Sequence, residues 1–265
     1  MNTPTFFGPK PPELLTVEVK PGVTQMIPWG RFKVPSLDGH LQTSVKWSNK
    51  IPYFHLTASV PAGARLEVQR VVDHMKARRD SIYRGYAIKM KFPAPESDPP
   101  AHDFFPKFMR VPVIPESNLI LSRDVHDLVD MALFTPIKKS QFCREHGIHL
   151  GRRVLLEGPP GVGKTLTATI VATMGPNHGW TYIQIDNVHD LVRAYRFALD
   201  NQPAIISCED LDLVLKKARE RDNVINEILN EIDGLESKEQ DVILVLTTNF
   251  VDKITTEALR PGRID

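Results

Sequence analysis

Gly158-Pro-Pro-Gly-Val-Gly-Lys-Thr165 has the pattern G-x-x-x-x-G-K-T, set between the strand-like RVLLE and the helical LTATIVATM. Backbone N–H groups can wrap closely around phosphate oxygens only where no Cβ blocks the approach or forbids a positive φ, so the pattern needs glycines. The cradle is expected to run from Gly158 through Pro159, Pro160, Gly161, Val162 and Gly163 to Lys164, Thr165 and Leu166. Lys164 would reach the β- and γ-phosphates and Thr165 would ligate Mg2+, at the positive end of the following helix. A turn built only for a tight bend would not require Lys-Thr at this offset. A magnesium nucleotide site also needs a carboxylate at the end of a neighbouring buried strand. The strand AIISC followed by Glu209, Asp210, Leu211 and Asp212 supplies three. Glu209 and Asp210 are expected to share two jobs: one carboxylate holds the metal, usually through its water, and the other orients and polarises the attacking water.

These groups can work together only if buried strands bring them to one edge. Short apolar strands are expected at Arg153–Glu157, Tyr182–Ile185, Ala204–Cys208 and Val242–Leu246, separated by helical stretches and preceded by helices near Asp124–Phe134 and Ile137–His146. That alternation predicts an α/β fold with a parallel sheet flanked by helices, and such sheets place ligands at the carboxyl ends of their strands. Upstream, strands are expected at Leu15–Lys20, Leu41–Trp47, Tyr53–Val60 and Ala87–Phe92. One helix interrupts them, its Val68, Val71, Val72, Met75 and Ile82 recurring at three- and four-residue steps. Seven of the 22 prolines fall between Pro93 and Pro115, which reads as a linker. The expected organisation is therefore a small α+β domain over 1–92 that binds substrate or partner, a Pro-rich linker over 93–115, and a core over 116–265.

Composition narrows the function classes. With 33 Lys and Arg against 32 Asp and Glu the net charge is +1, which argues against tight, purely electrostatic binding to nucleic acid. The basic run Lys76-Ala-Arg-Arg79 reads as the charged outer face of an amphipathic helix. Apolar runs such as Val242–Phe250 are strand-sized, far short of the roughly 20 residues that span a bilayer. The first ten residues do not resemble a signal peptide. Cys143 and Cys208 provide no disulfide framework and fit a reducing compartment, so a soluble cytoplasmic location is expected.

With the last strand, VILVLTTNFVDKITTEALRPGRID resembles the second region of homology of AAA+ ATPases. Together with GPPGVGKT, the acidic strand end and Ile228-Leu-Asn-Glu-Ile-Asp-Gly234, the likeness covers roughly Val113 to Asp265 in the family's order and at nearly its spacing. The resemblance implies that ATP with Mg2+ is the ligand and that Asn249 is the sensor that hydrogen-bonds the γ-phosphate or the attacking water. An amide suits that role because it offers a donor and an acceptor without charge. Arg260 and Arg263, in LRPGR, match the family's arginine fingers, which reach into a neighbouring subunit's site, so a homo-oligomeric ring is implied. The family has Asp then Glu at the acidic strand end, whereas this chain has Glu209 then Asp210, an order that could retain or slow hydrolysis. That order and the ending RPGRID resemble the Bcs1-like branch. Asn187–Pro203 has room for one helix, too little for the insert with which threading motors grip a chain, and Tyr195 lacks the surrounding triplet. The likeness stops at Asp265, where the family continues into a fifth strand and a helical lid. A core that ends before the lid is therefore expected, and the second sensor is left without a residue.

The function these features support is ATP hydrolysis by a ring-forming remodeller or translocase acting on protein. The alternatives are a nucleotide-gated scaffold with little hydrolysis, and a DNA-directed loader or replication accessory protein. Cys143, His146 and His149 offer only three ligands at a helix end, and the resemblance places them beside the adenine pocket rather than around zinc. Cys208 reads as packing. Trp29, Trp47, Tyr53 and Phe54 are expected to build the first domain's core.

Overall fold

Among the described residues the strands fall into two groups that do not pair with each other, and the chain divides accordingly. The computed structural model describes residues 13–34, 36, 38–48, 51–79, 82–92, 106–211, 224–235, 240–249 and 264. Of these, residues 13–82 and Phe92 form one unit, and Tyr83–Lys91 with residues 106–264 form the other.

In the first unit, β1 (Glu13–Lys20) and β2 (Val23–Trp29) form an antiparallel hairpin. Gly22 turns it at φ +75, and its N–H donates to Glu18 Oε1 at 2.6 Å. Strands β3 (Arg31–Val34), β4 (Gly39–Ser48) and β5 (Ile51–Ser59) make a second antiparallel sheet in sequence order. Helix α1 (Arg65–Arg79) follows. Its Val68 and Val72 are half-buried, whereas Val71 and Met75 on the same stripe stay exposed. Trp29 is half-buried, and among the described side chains of this unit no apolar one is fully buried. Trp47, Tyr53 and Phe54, expected in the core with Trp29, lie outside the described side chains.

The second unit is a six-stranded sheet in the order β7-β6-β9-β10-β11-β8, formed by β6 (Ala87–Met90), β7 (Lys107–Phe108), β8 (Arg152–Glu157), β9 (Thr181–Ile185), β10 (Ala204–Cys208) and β11 (Val242–Thr248). All neighbours run parallel except β7, which pairs antiparallel with β6 at the edge. Every residue of β10 and β11 is buried, as expected of strands covered on both faces. Among the described residues its helices are α2 (Arg123–Val129), continued through a π-turn at Asp130–Phe134 into α3 (Thr135–Lys138), then α4 (Ser140–Glu145), α5 (Lys164–Asn177), α6 (Leu191–Asp200) and α7 (Val224–Asp233). The α/β fold with a mostly parallel sheet flanked by helices is as expected.

Two boundaries differ from the sequence reading. Strand Ala87–Met90, expected in the first domain, pairs with β9 from Ala87 opposite Tyr182 to Met90 opposite Ile185, and Ile88 is fully buried. Residues 106–115, expected as linker, begin with β7, whose Phe108 ring packs against Tyr86 (centroids 5.4 Å) and Tyr83 (5.5 Å). Met109, Val111 and Ile114 then pack against the core. Proline density hid this segment, because an edge strand tolerates prolines on its flanks as a linker does.

Candidate functional site

Three adjacent strands end at one edge of the sheet. On β8 and β11, Glu157 lies opposite Thr248; on β11 and β10, Leu246 lies opposite Cys208. Gly158 and Asn249 therefore leave the sheet level with each other, Glu209 leaves level with Thr247, and with neighbouring strands roughly 4.8 Å apart the first and last strands are about 10 Å apart. The phosphate loop, the acidic pair and Asn249 are thus brought to one place.

The loop has the backbone its glycines were expected to provide. Gly158, Gly161 and Gly163 adopt φ of +147, +89 and +102. Gly163 is the N-cap of α5 and no side chain caps it. Because the first turn of a helix leaves its N–H groups without helical acceptors, those of Lys164, Thr165 and Leu166 are open to an anion. The first α5 bond back to the cap runs from Thr167 N–H to the Gly163 carbonyl. Lys164 Nζ donates to the Gly158 carbonyl at 2.6 Å and the Pro159 carbonyl at 2.9 Å, which holds the ammonium over the loop. Thr165 is exposed at the first turn and Leu166 is half-buried. A Cβ on Gly163 would lie 3.3 Å from Leu119 Cδ1 and 3.9 Å from Leu121 Cδ2, so this loop is backed by a segment the sequence reading did not connect with it.

The acidic turn is held from the next strand. Glu209 is half-buried and Asp210 exposed. Asp210 has φ +54, uncommon for a residue with a side chain but tolerated by Asp, and its N–H donates to Thr247 Oγ1 at 2.9 Å. Burial pushes the Cys208 thiol up to about 12, and Asp186, Asp190, Glu209 and Asp210 add to the rise. These four carboxylates therefore lie near the Cys208 thiol. Asp186 is paired with Lys89 at 2.7 Å. Asp190 has its carboxyl raised by burial, against the opposing pull of Arg193 and His189. Neither Asp186 nor Thr247 entered the sequence reading; for Asp186, its position directly after β9 was a usable signal.

The remaining candidates sit as follows. Asn249 is half-buried just after β11. Arg260, Arg263 and Asp212 lie outside the described residues. Cys143 is buried, and the His146 ring stacks on Phe142 at 4.0 Å. Among the described residues no group of three or more His, Cys, Asp or Glu is placed to hold a metal. The oxygen donors of Thr165, Glu209 and Asp210 nevertheless suit Mg2+, which is commonly held by one or two protein oxygens plus phosphates and water. Tyr195 is buried, its hydroxyl donating to Gln240 Oε1 at 3.2 Å, so it is not a gripping residue.

Residues 154–265 match the model of the ATPase family associated with various cellular activities (AAA). This segment is an AAA P-loop domain. The chain is 29% identical over 174 residues to a nuclear valosin-containing protein-like protein of Mus musculus, covering 60% of this chain and 20% of that one. It is 32% identical over 162 residues to ATP-dependent zinc metalloprotease FtsH 2 of Sphaerobacter thermophilus, covering 55% and 24%. Against a 26S proteasome regulatory subunit 6B homolog of Aspergillus niger it is 32% identical over 150 residues, covering 51% and 35%. The chain thus spans between a fifth and about a third of these relatives. In this AAA domain the sheet order sets the phosphate-loop strand β8 beside β11, the strand that leads into Asn249. Among the described residues no helix is long and apolar enough to cross a membrane.

Proposed function

We propose that this chain binds and hydrolyses ATP with Mg2+, and works as a ring that remodels or moves protein substrates. The observation that carries the proposal is the convergence of the Lys164 loop, Glu209, Asp210 and Asn249 at the ends of three adjacent strands. ATP supplies the phosphoanhydride bond whose cleavage drives the cycle, and Mg2+ held by Thr165 and an acidic residue would neutralise charge on its phosphate oxygens. Lys164 exchanges its hydrogen bonds to the loop carbonyls for phosphate oxygens, and the N–H groups at the start of α5 complete the cradle. Thr165 and one of Glu209 and Asp210 support the metal, while the other carboxylate takes a proton from the attacking water. Asn249 orients that water or the γ-phosphate, and Arg260 and Arg263 act on the site of the next subunit. Exposed Val125, Leu128 and Met131 on one helical run give a neighbouring subunit apolar surface to cover.

Protein is the favoured substrate because the net charge is close to zero and because relatives with similar AAA domains include a proteasome subunit and a metalloprotease. Within the superfamily we place the chain nearest the Bcs1-like branch. The Glu209-Asp210 order supports this, as does the short β9-to-β10 connection, which holds only a 3-10 turn at Val188–Asp190 and α6. We assign substrate selection to the first unit and a reducing compartment to the protein. Phosphate release from ATP is the test: Lys164→Ala should remove binding and turnover, and Glu209→Gln turnover alone. Arg263→Ala should leave binding nearly intact and remove turnover. Unchanged activity in all three refutes the reading, and ATP binding without phosphate release by the wild type favours the scaffold.

A further inference from the structure

We propose that Thr247 is a positioning residue that fixes the acidic turn relative to the strand carrying Asn249; this rests on the hydrolytic reading above. From Val242 to Leu246 strand β11 is wholly apolar and buried, and Thr247, 1% exposed, then sets a hydroxyl into that interior. A buried hydroxyl needs a partner, and this one accepts the Asp210 N–H at 2.9 Å. The β10–β11 ladder ends at Cys208 opposite Leu246, so Glu209 and Asp210 lie beyond the last backbone pair. The Thr247 side chain therefore takes over where the ladder stops. It also holds Asp210 at φ +54, the residue at which the chain turns out of the sheet. Asn249 follows two residues later, just past the end of the same strand, so one hydroxyl ties the acids to the strand that leads into Asn249.

Valine has nearly the same shape as threonine but offers no acceptor, so Thr247→Val frees the turn without opening a cavity. Misplacing catalytic groups by about 1 Å can cost about 100-fold in rate, so we expect kcat for ATP to fall about 10- to 100-fold with KM near that of the wild type. Thr247→Ser should restore most of kcat. Hydrogen exchange in the full-length chain should show the Asp210 amide exchanging faster in Thr247→Val and at the wild-type rate in Thr247→Ser. Thr247→Ala is the second variant should Thr247→Val fail to fold, and is expected to behave like it. An unchanged kcat in Thr247→Val or Thr247→Ala beside an inactive Glu209→Gln overturns the positioning role alone. So does a raised KM at unchanged kcat, or a Thr247→Ser variant as slow as Thr247→Val. If Lys164→Ala and Glu209→Gln both keep wild-type turnover, the site reading itself has failed.

Discussion

Gly163→Ala tests whether the loop's backbone, rather than its side chains, makes the cradle. Gly163 has φ +102 and ψ 6, and a methyl there would lie 3.3 Å from Leu119 Cδ1. Holding a residue with a Cβ in such a region costs about 1–3 kcal/mol. Leu119 is buried but its methyl is the end of a side chain, so steric adjustment adds little beside the backbone term. The strain must appear somewhere between the unfolded chain and the nucleotide-bound state. If the free loop keeps its shape, the whole cost falls on folding and Tm drops by about 2–4 °C per kcal/mol for a unit of this size. If the free loop relaxes, stability is spared and ATP affinity falls instead, by roughly 5- to 150-fold for the same free energy. Thermal melts without nucleotide, paired with calorimetric titration of ATP, measure both shares, and their sum should lie near 1–3 kcal/mol. Wild-type Tm together with wild-type affinity would refute the claim that the site needs this positive φ.

Gly175, on α5, faces the sheet so closely that a Cβ would lie 2.8 Å from Ile205 Cδ1. Gly175→Ala should cost about 1–3 kcal/mol by overpacking, partly offset by about 1 kcal/mol of helix propensity. Adding Ile205→Val, which removes the Cδ1 methyl, should return stability in urea unfolding. Cys208, its thiol pushed up to about 12 by burial, should resist alkylation at pH 8 in the folded protein, where it is buried and held neutral, and react in urea. The folded state favours the neutral thiol. Its contribution to stability is therefore complete below pH 9 and is lost as pH rises towards 12, which pH-dependent unfolding of wild type against Cys208→Ala measures.

What the sequence made legible was whatever local chemistry dictates. The phosphate loop could be read because the demand for close backbone approach leaves only a few residue types at Gly158, Gly161, Gly163 and Lys164. Strands β8, β9, β10 and β11 could be read because burial leaves short, largely apolar runs between helical stretches. Strand β6 carries Lys89 among its apolar residues over Ala87–Met90, and its place in the sheet depends on pairing with β9, nearly a hundred residues away. Strand β7 is two residues among prolines and carries no period at all. Thr247 was invisible for a related reason: the Asp210 bond exists only in the register that sets Leu246 opposite Cys208.

That register also bears on the inverted order of the two acids. Along a regular strand successive side chains point to opposite faces, so Glu209 and Asp210 could not both turn towards the loop if β10 simply continued. The ladder ends before them, and the positive φ at Asp210 breaks the alternation. Where each carboxylate goes is therefore set by this turn, and exchanging Asp-Glu for Glu-Asp shifts each oxygen pair by one methylene within a path the backbone defines. The half-buried Glu209 follows directly from the strand, whereas the exposed Asp210 sits at the corner that Thr247 holds. The backbone of this corner therefore sets where the two carboxylates leave the sheet.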